Sequence, residues 1–189
     1  MAASRLSRPP SRWGGGKLPM DALRPDSARI RFWKRLALPQ GRRDAGLCLV
    51  EGRKVVEELL ASSWKTRELL VLEGRENALS ASAARRCAAH PPYGLTLRQW
   101  RQLSQDPSPE GIMAVAEIPA PLPPARILRE AGGHLLLLHG VNNPNNLGAL
   151  LRTAHWFGFQ AVLLDRGAVD ATNPKVVRAS MGSLFFLSI

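Results

Sequence analysis

The chain reads as an α/β protein in two units, and three features of its 189 residues say so. Short apolar runs alternate with helical patterns between residues 46 and 118. A proline cluster, PAPLPP at 119–124, then interrupts the alternation. Behind it, two apolar runs flank one helical stretch, the sequence form of a βαβ unit and of a mostly parallel sheet.

Each element has a local reason. From Ser27, the residues Ile30, Phe32, Trp33, Leu36 and Leu38 interleave with Arg and Lys, which predicts a first helix with a cationic polar face. GLCLV (46–50) is a short strand, and in EGRKVVEELLAS the residues Val55, Val56, Leu59 and Leu60 share one helical face. LLVL (69–72) is a second strand, NALSASAARRCAAH (77–90) an Ala-rich helix, and YGLTL leads into a helix at RQWRQLSQ. GIMAVAEI (111–118) closes this unit as a third strand. PAPLPP can join neither a helix interior nor a central strand, so it is a stiff linker. A brief helix at 125–131 precedes the strand His134–Leu138, whose LLLL run implies burial on both faces. GFQAVLLD (158–165) is its parallel partner. The boundaries expected are a disordered basic leader at 1–27, one α/β unit at 28–118, the linker at 119–125 and a second unit at 126–189.

Charge is concentrated at one end. Residues 1–43 hold eleven Lys and Arg against Asp21 and Asp26, nearly all of the chain's net +11. A one-ended basic segment is the footprint of contact with a polyanion. The apolar residues among these charges are too few for an interfacial anchor, so nucleic acid is favoured over a membrane. Arg31, Lys34, Arg35, Arg42 and Arg43 are the candidate phosphate contacts. Trp13, in the polar leader, is placed to stack on a base, whereas Trp33, Trp64, Trp100 and Trp156 read as core or interface residues. No apolar run reaches the ~20 residues that span a bilayer. Cys48 and Cys87 show no CxxC spacing and read as buried reduced thiols, in keeping with a cytoplasmic protein. His90, His134, His139 and His155 have no metal-ligand spacing, and neither GxGxxG nor GxxxxGK[ST] occurs.

The most informative stretch is HLLLLHGVNNPNNLGALLRTAHWFGFQAVLL, from residue 134. In open sheets, ligands bind beyond the carboxyl ends of the strands, which is where His139–Asn146 must lie. Pro144 biases Asn143 away from helical geometry, so Asn146 is expected to cap the following helix. Gly148 would keep the first turn bare for a ligand, and free N–H groups there attract phosphate. The long side chain of Arg152, six residues on, can reach back toward the same mouth. Further on, Asn173-Pro174 has the form of a helix start. Lys175 and Arg178 are candidate phosphate contacts, and Ala179, Ser180 and Gly182 suit tight backbone packing.

PNNLGALLRTAHWFGFQAVLL closely resembles the first signature motif of the SpoU-type ribose 2′-O-methyltransferases, in the knotted SPOUT superfamily. NPKVVRASMGSLFFLSI looks like the second motif. LVEGRKVVEELL and SPEGIMAVAEI resemble segments of that family's RNA substrate-binding domain, a fold shared with a ribosomal large-subunit protein. The resemblance covers residues 28–189 and implies a small α/β substrate-binding domain followed by an incomplete α/β-knot methyltransferase domain. It implies methyl transfer from S-adenosylmethionine to a ribose 2′-hydroxyl of rRNA or tRNA.

Asn146 and Arg152 match the motif's Asn and Arg. The resemblance implies that this Arg helps to activate the hydroxyl, but a guanidinium stays protonated and is a poor proton acceptor. A clamp that holds the adjacent phosphate bidentately and steadies the developing alkoxide is the better physical role. The family's third motif, which makes most cofactor contacts, would lie beyond Ile189. The chain therefore reads as a fragment, expected to be inactive alone and to bind the cofactor weakly or not at all. A homodimer is implied for the complete protein and is doubtful for these residues. The alternatives are a non-catalytic RNA-binding module and, more weakly, a nucleotide-binding α/β enzyme unrelated to RNA.

Overall fold

The computed structural model describes residues 22–75, 90–104, 106–130 and 133–189, with residues 80, 83 and 85. The leader up to Asp21 with Trp13, most of the Ala-rich stretch at 77–90, and Cys87 lie outside the described residues.

Helix α1 (Ser27–Arg35) starts at Asp26, whose carboxylate accepts from the Arg29 backbone N–H at 2.7 Å. Its inner face buries Ile30 and Trp33, while Arg31, Lys34 and Arg35 stay exposed. A second short helix, α2 (Pro39–Ala45), follows at once; its signal was Pro39, a helix-opening residue. Then come β1 (Leu47–Glu51), α3 (Arg53–Ala61), β2 (Thr66–Leu72), β3 (Tyr93–Leu95), α4 (Leu97–Trp100) and β4 (Ile112–Glu117). The helix expected over RQWRQLSQ is shorter than its sequence pattern, one turn held by a Thr96/Gln99 capping box.

The four strands form one sheet in the order β1-β4-β2-β3, antiparallel except for the parallel β2–β3 pair. Strand β4 lies inside this sheet and sends alternate side chains to opposite faces. Met113 and Val115 join Trp33, Leu36, Leu49, Leu70, Leu95 and Trp100 beneath α1. Ile112, Ala114 and Ala116 join Cys48, Val50, Val55, Val56 and Leu59 on the other face. Burial pushes the Cys48 thiol up to about 12, so it is a packing residue and not a nucleophile.

Past the linker come α5 (Pro124–Glu130), β5 (Leu135–Leu138), α6 (Pro144–Trp156), β6 (Ala161–Leu164), α7 (Pro174–Ala179) and a 3₁₀ turn at Ser183–Phe186. β5 and β6 pair in parallel, Leu135 opposite Ala161 through Leu138 opposite Leu164. Next to β6, Ala161 also forms a parallel bridge to Ser188. The expectation that LLLL is buried on both faces is corrected: only Leu138 is fully buried and Leu137 is 68% exposed. Among the described residues this sheet has two strands; Leu138 and Val162 share a buried cluster with α6 and α7, whereas Leu137 faces solvent. The apolar faces of those helices (Leu147, Leu151, Val176, Val177) belong to the same buried cluster as Cys48, Val50, Ala114 and Ala116 of the first sheet. One continuous core thus runs through both halves.

Gly148 has a different role from the one its sequence context implied. It is buried, and a Cβ placed on it would stand 2.4 Å from Ala179 Cβ and 2.9 Å from the Ala179–Ser180 backbone. It lets α6 seat against the end of α7 and does not bare a turn for a ligand. Ala179 and Ser180 are small for the same reason, and the Ser180 hydroxyl, fully buried, donates to the Val177 carbonyl at 2.8 Å. Gly148→Ala should therefore lower stability by about 1–3 kcal/mol through overpacking. Urea unfolding would detect it as a lower midpoint at an unchanged slope.

Candidate functional site

Strands β5 and β6 end side by side, and the loops leaving them are tied together. The Asp165 backbone N–H donates to the Leu138 carbonyl at 3.3 Å, and Val169 N–H to the Val141 carbonyl at 2.9 Å. The Asp165 side chain accepts from Gly140 N–H at 3.1 Å and meets His139 Nδ1 at 2.9 Å. That backbone bond, with the neighbouring imidazole, holds the Asp165 carboxyl below its ordinary pKa. His139 itself is 89% exposed.

Helix α6 opens at this rim. Its cap is Asn143 and not Asn146, which corrects the sequence expectation: Asn143 Oδ1 accepts from the Asn145 and Asn146 N–H groups at 2.9 and 3.2 Å. Pro144 does force Asn143 out of helical geometry (φ −86°, ψ 122°), and that geometry is what an N-cap requires. Asn146 is left in the first turn with an exposed side chain, and Arg152 is exposed farther along. Among the described residues neither side chain has a polar partner. Six residues separate them, about 9 Å along the axis and about 120° around it. They are neighbours on the solvent side of one helix, with Arg152 nearer the stripe of Asn145 and Trp156. Trp156, expected in the core or an interface, is 85% exposed.

The remaining candidates divide. Arg31, Lys34, Arg35 and Arg43 are exposed on α1 and α2, Arg35 within 3.6 Å of Asp44 and Arg43 bonded to Gln40. Lys175 is exposed. Arg178 is partly exposed but leans on Asp106 of the first half at 3.3 Å. Arg42 is corrected outright as a phosphate contact. It is 1% exposed, and its guanidinium donates to Asp170 Oδ2 (2.6 and 3.0 Å), Thr172 Oγ1 (3.2 Å) and the Leu36 and Ala37 carbonyls (3.1 and 3.0 Å). One side chain therefore satisfies the end of α1 and grips the turn that leads into Asn173, the cap of α7. Sequence reasoning missed this tether, because charge alone does not separate a buried Arg from a surface one. The available signal was Asp170-Ala171-Thr172 ahead of Asn173-Pro174, a side-chain-bonded turn in front of a cap.

A cleft of about 960 Å³ lies where Arg42, Arg43, Trp64, the linker 118–122, the turn 170–172 and residues 184–189 meet. It lies apart from Asn146 and Arg152, which do not line it. No group of three or more His, Cys, Asp or Glu among the described residues is arranged to hold a metal ion.

Comparison with known proteins fits this layout. Residues 27–114 match the MRM3-like substrate binding domain, and residues 133–189 match the SpoU rRNA Methylase family. The chain is 30% identical over 162 residues to the 23S rRNA (guanosine(2553)-2′-O)-methyltransferase RlmP of Bacillus subtilis, covering 85% of this chain and 60% of that protein. It is 28% identical over 187 residues to human mitochondrial rRNA methyltransferase 3, covering 97% of this chain and 44% of that protein. The crystal structure of the SpoU methyltransferase AviRb from Streptomyces viridochromogenes, in complex with AdoMet, superposes with a TM-score of 0.71 at 27% identity, over 86% of this chain and 62% of AviRb. The chain thus spans about half to two thirds of the length of these relatives.

The Arg42 tether has a pH consequence. Burial opposes the charge on Asp170, but hydrogen bonds from Thr172 and Arg42 outweigh it, so the carboxyl titrates below its ordinary value. A depressed folded pKa contributes stability that is complete above the unfolded value of about 3.9 and is lost as pH falls through the folded one. Asp170→Asn should flatten the acid limb of stability below about pH 4 relative to wild type. Arg42→Ala at neutral pH should cost about 3 kcal/mol, the low end for a broken buried pair, because Asp170 keeps some solvent access. Chemical denaturation across pH would measure both effects.

Proposed function

We infer, for a chain whose residues 133–189 belong to the SpoU rRNA methylase family, that it serves the 2′-O-methylation of an RNA ribose. It contributes the substrate-recognition unit and the first part of the catalytic unit. The observation that carries this reading is the joint one: a substrate-binding match at 27–114 and a SpoU match at 133–189, built onto one core. RlmP, by its name, methylates a guanosine 2′-oxygen of 23S rRNA. Ribosomal RNA is accordingly the substrate class proposed here.

Within that reading Arg152 is the clamp. A planar guanidinium with no partner among the described residues, two helical turns from the rim, suits bidentate capture of a phosphate beside the target ribose. Asn146, shorter and in the first turn, offers an amide to a sugar hydroxyl or phosphate oxygen. Arg31, Lys34, Arg35 and Arg43 form a cationic surface on the first unit, where the rest of a folded RNA would lie.

The methyl donor proposed is S-adenosylmethionine, since the AviRb crystal structure contains AdoMet. The exposed residues from Asn143 to Arg152 are Asn143, Asn145, Asn146, Ala149 and Arg152, whereas Leu147 and Leu151 are buried in the core. The exposed ones suit a sugar-phosphate and offer no apolar slot for an adenine. The described rim does not fit the donor by its own side chains, and no chemical step is assigned through it. A homodimer, with a partner completing the site, belongs to the same proposal.

The direct test is RNA binding by the chain as a function of salt. Affinity for a structured rRNA fragment should fall steeply with salt, and removing one phosphate contact lowers the slope by about 0.7–0.9. Arg152→Ala should lower both affinity and slope, whereas Arg42→Lys should leave the slope unchanged because Arg42 is buried. A wild-type chain with no salt-dependent RNA affinity would refute the reading.

A further inference from the structure

We propose that the imidazole of His139, held by Asp165, is a pH-responsive contact for the RNA backbone at the carboxyl rim of the β5–β6 pair. The proposal rests on the RNA reading above and assigns it a residue outside Asn146 and Arg152. Three observations carry it. The ring has a partner at one nitrogen and faces solvent: Nδ1 lies 2.9 Å from Asp165 Oδ2, and the side chain is 89% exposed. The carboxylate that fixes it is itself anchored, by the Gly140 N–H on its other oxygen at 3.1 Å. The pair also sits at the ends of two parallel strands, four residues before the Asn143 cap, on the edge where ligands of open sheets bind.

Surface ion pairs usually leave both partners mobile and contribute little. Here the Asp165 backbone is bonded to Leu138 and its side chain to Gly140, so the carboxylate that meets the ring is itself held in place. The free Nε2 accepts a hydrogen bond when the imidazole is neutral and donates one when it is protonated. A ribose hydroxyl satisfies the first state and a phosphate oxygen the second.

The charged surroundings favour an incoming anion. Asp165 faces the ring, Arg166 is the next residue in the chain, and the first turn of α6 contains no acidic residue. The N–H groups of that turn add a positive field. Asp165 accepts from Gly140 and meets His139, and its charge is compensated when the imidazole is protonated. The other described histidines are placed for different work. His134 tilts against Phe159 at the opposite end of β5, His155 stacks flat on Phe186, and His90 lies in the first unit.

The test compares wild type with His139→Gln, binding a fluorescein-labelled 12-nucleotide single-stranded RNA of mixed sequence, at pH 5.5 and pH 8.0 and over a range of salt. The side chain is exposed, so the variant should fold as wild type does, and circular dichroism would verify this. Wild type should bind up to about fivefold more tightly at the lower pH, the scale of one added ion pair. Its salt slope should be steeper there by about 0.7, the value for one further contact to a single strand. The variant should lose both differences. In nuclear magnetic resonance spectra, the His139 ring signals should move on RNA addition and those of His134 should stay. An equal pH increment in both proteins, or unmoved His139 signals, would overturn the proposal while leaving the RNA reading intact. Absence of binding by wild type at either pH would overturn both.

Discussion

The second face of β4 is the constraint on which the molecule depends. The two parallel strands described for the second half cannot bury enough surface to stand alone, and Leu137 and Trp156 remain in solvent even here. The apolar stripes of α6 and α7 find their cover on a sheet made by the other half of the chain. Ala114 and Ala116 keep that face low, so larger side chains from both units can fill it. Each of Leu147, Leu151, Val176 and Val177 contributes roughly 1.5–3 kcal/mol on burial. That outweighs the Arg178–Asp106 contact, whose side chains are 40% and 31% exposed and whose worth is about 1 kcal/mol or less.

Hydrophobic contact is non-directional, so it fixes that the halves meet but not how they are turned. Orientation falls to groups with geometry. Arg42 is the clearest, since its donors are aimed at two carbonyls behind α1 and at the turn ahead of α7. Gly148 is the second, because the Ala179–Ser180 backbone closes on it at distances no Cβ would permit. Between them they set α7 relative to both the first sheet and α6. The rim loops that carry Asn143, Asn146 and His139 are thereby held in a fixed relation to the cationic surface of α1.

The order of elements was legible because it is written in periodicity: GLCLV, LLVL, GIMAVAEI and GFQAVLLD all became strands. Where reading failed, the deciding partner was distant in sequence. Asn143 and Asn146 are chemically identical, and only the backbone angle imposed by Pro144 selects the cap. Arg42 looked like its neighbour Arg43 until Asp170, 128 residues away, was found against it. LLLL pointed to a doubly covered strand, yet composition cannot tell which faces a neighbouring layer will reach. Trp156, read as a core or interface residue, lies on the solvent side of α6.

The separation of Asn146 and Arg152 constrains what they can do together. Side chains on a helix lean toward its N-terminus, which favours reach of the Arg152 guanidinium back along α6 toward the rim. About 120° of rotation then keeps their tips apart. Under the proposed reading they would hold two atoms of one nucleotide, a phosphate oxygen on the guanidinium and a sugar oxygen on the amide. The ribose would then be fixed at both ends, its remaining hydroxyl turned outward. The rim loop of His139 and Asp165 lies before the start of the same helix, so the backbone entering that grip would pass the imidazole first. On the proposed reading, recognition in this half of the site would be built along one helix and the loop that precedes it, with the shared core behind them as the fixed support.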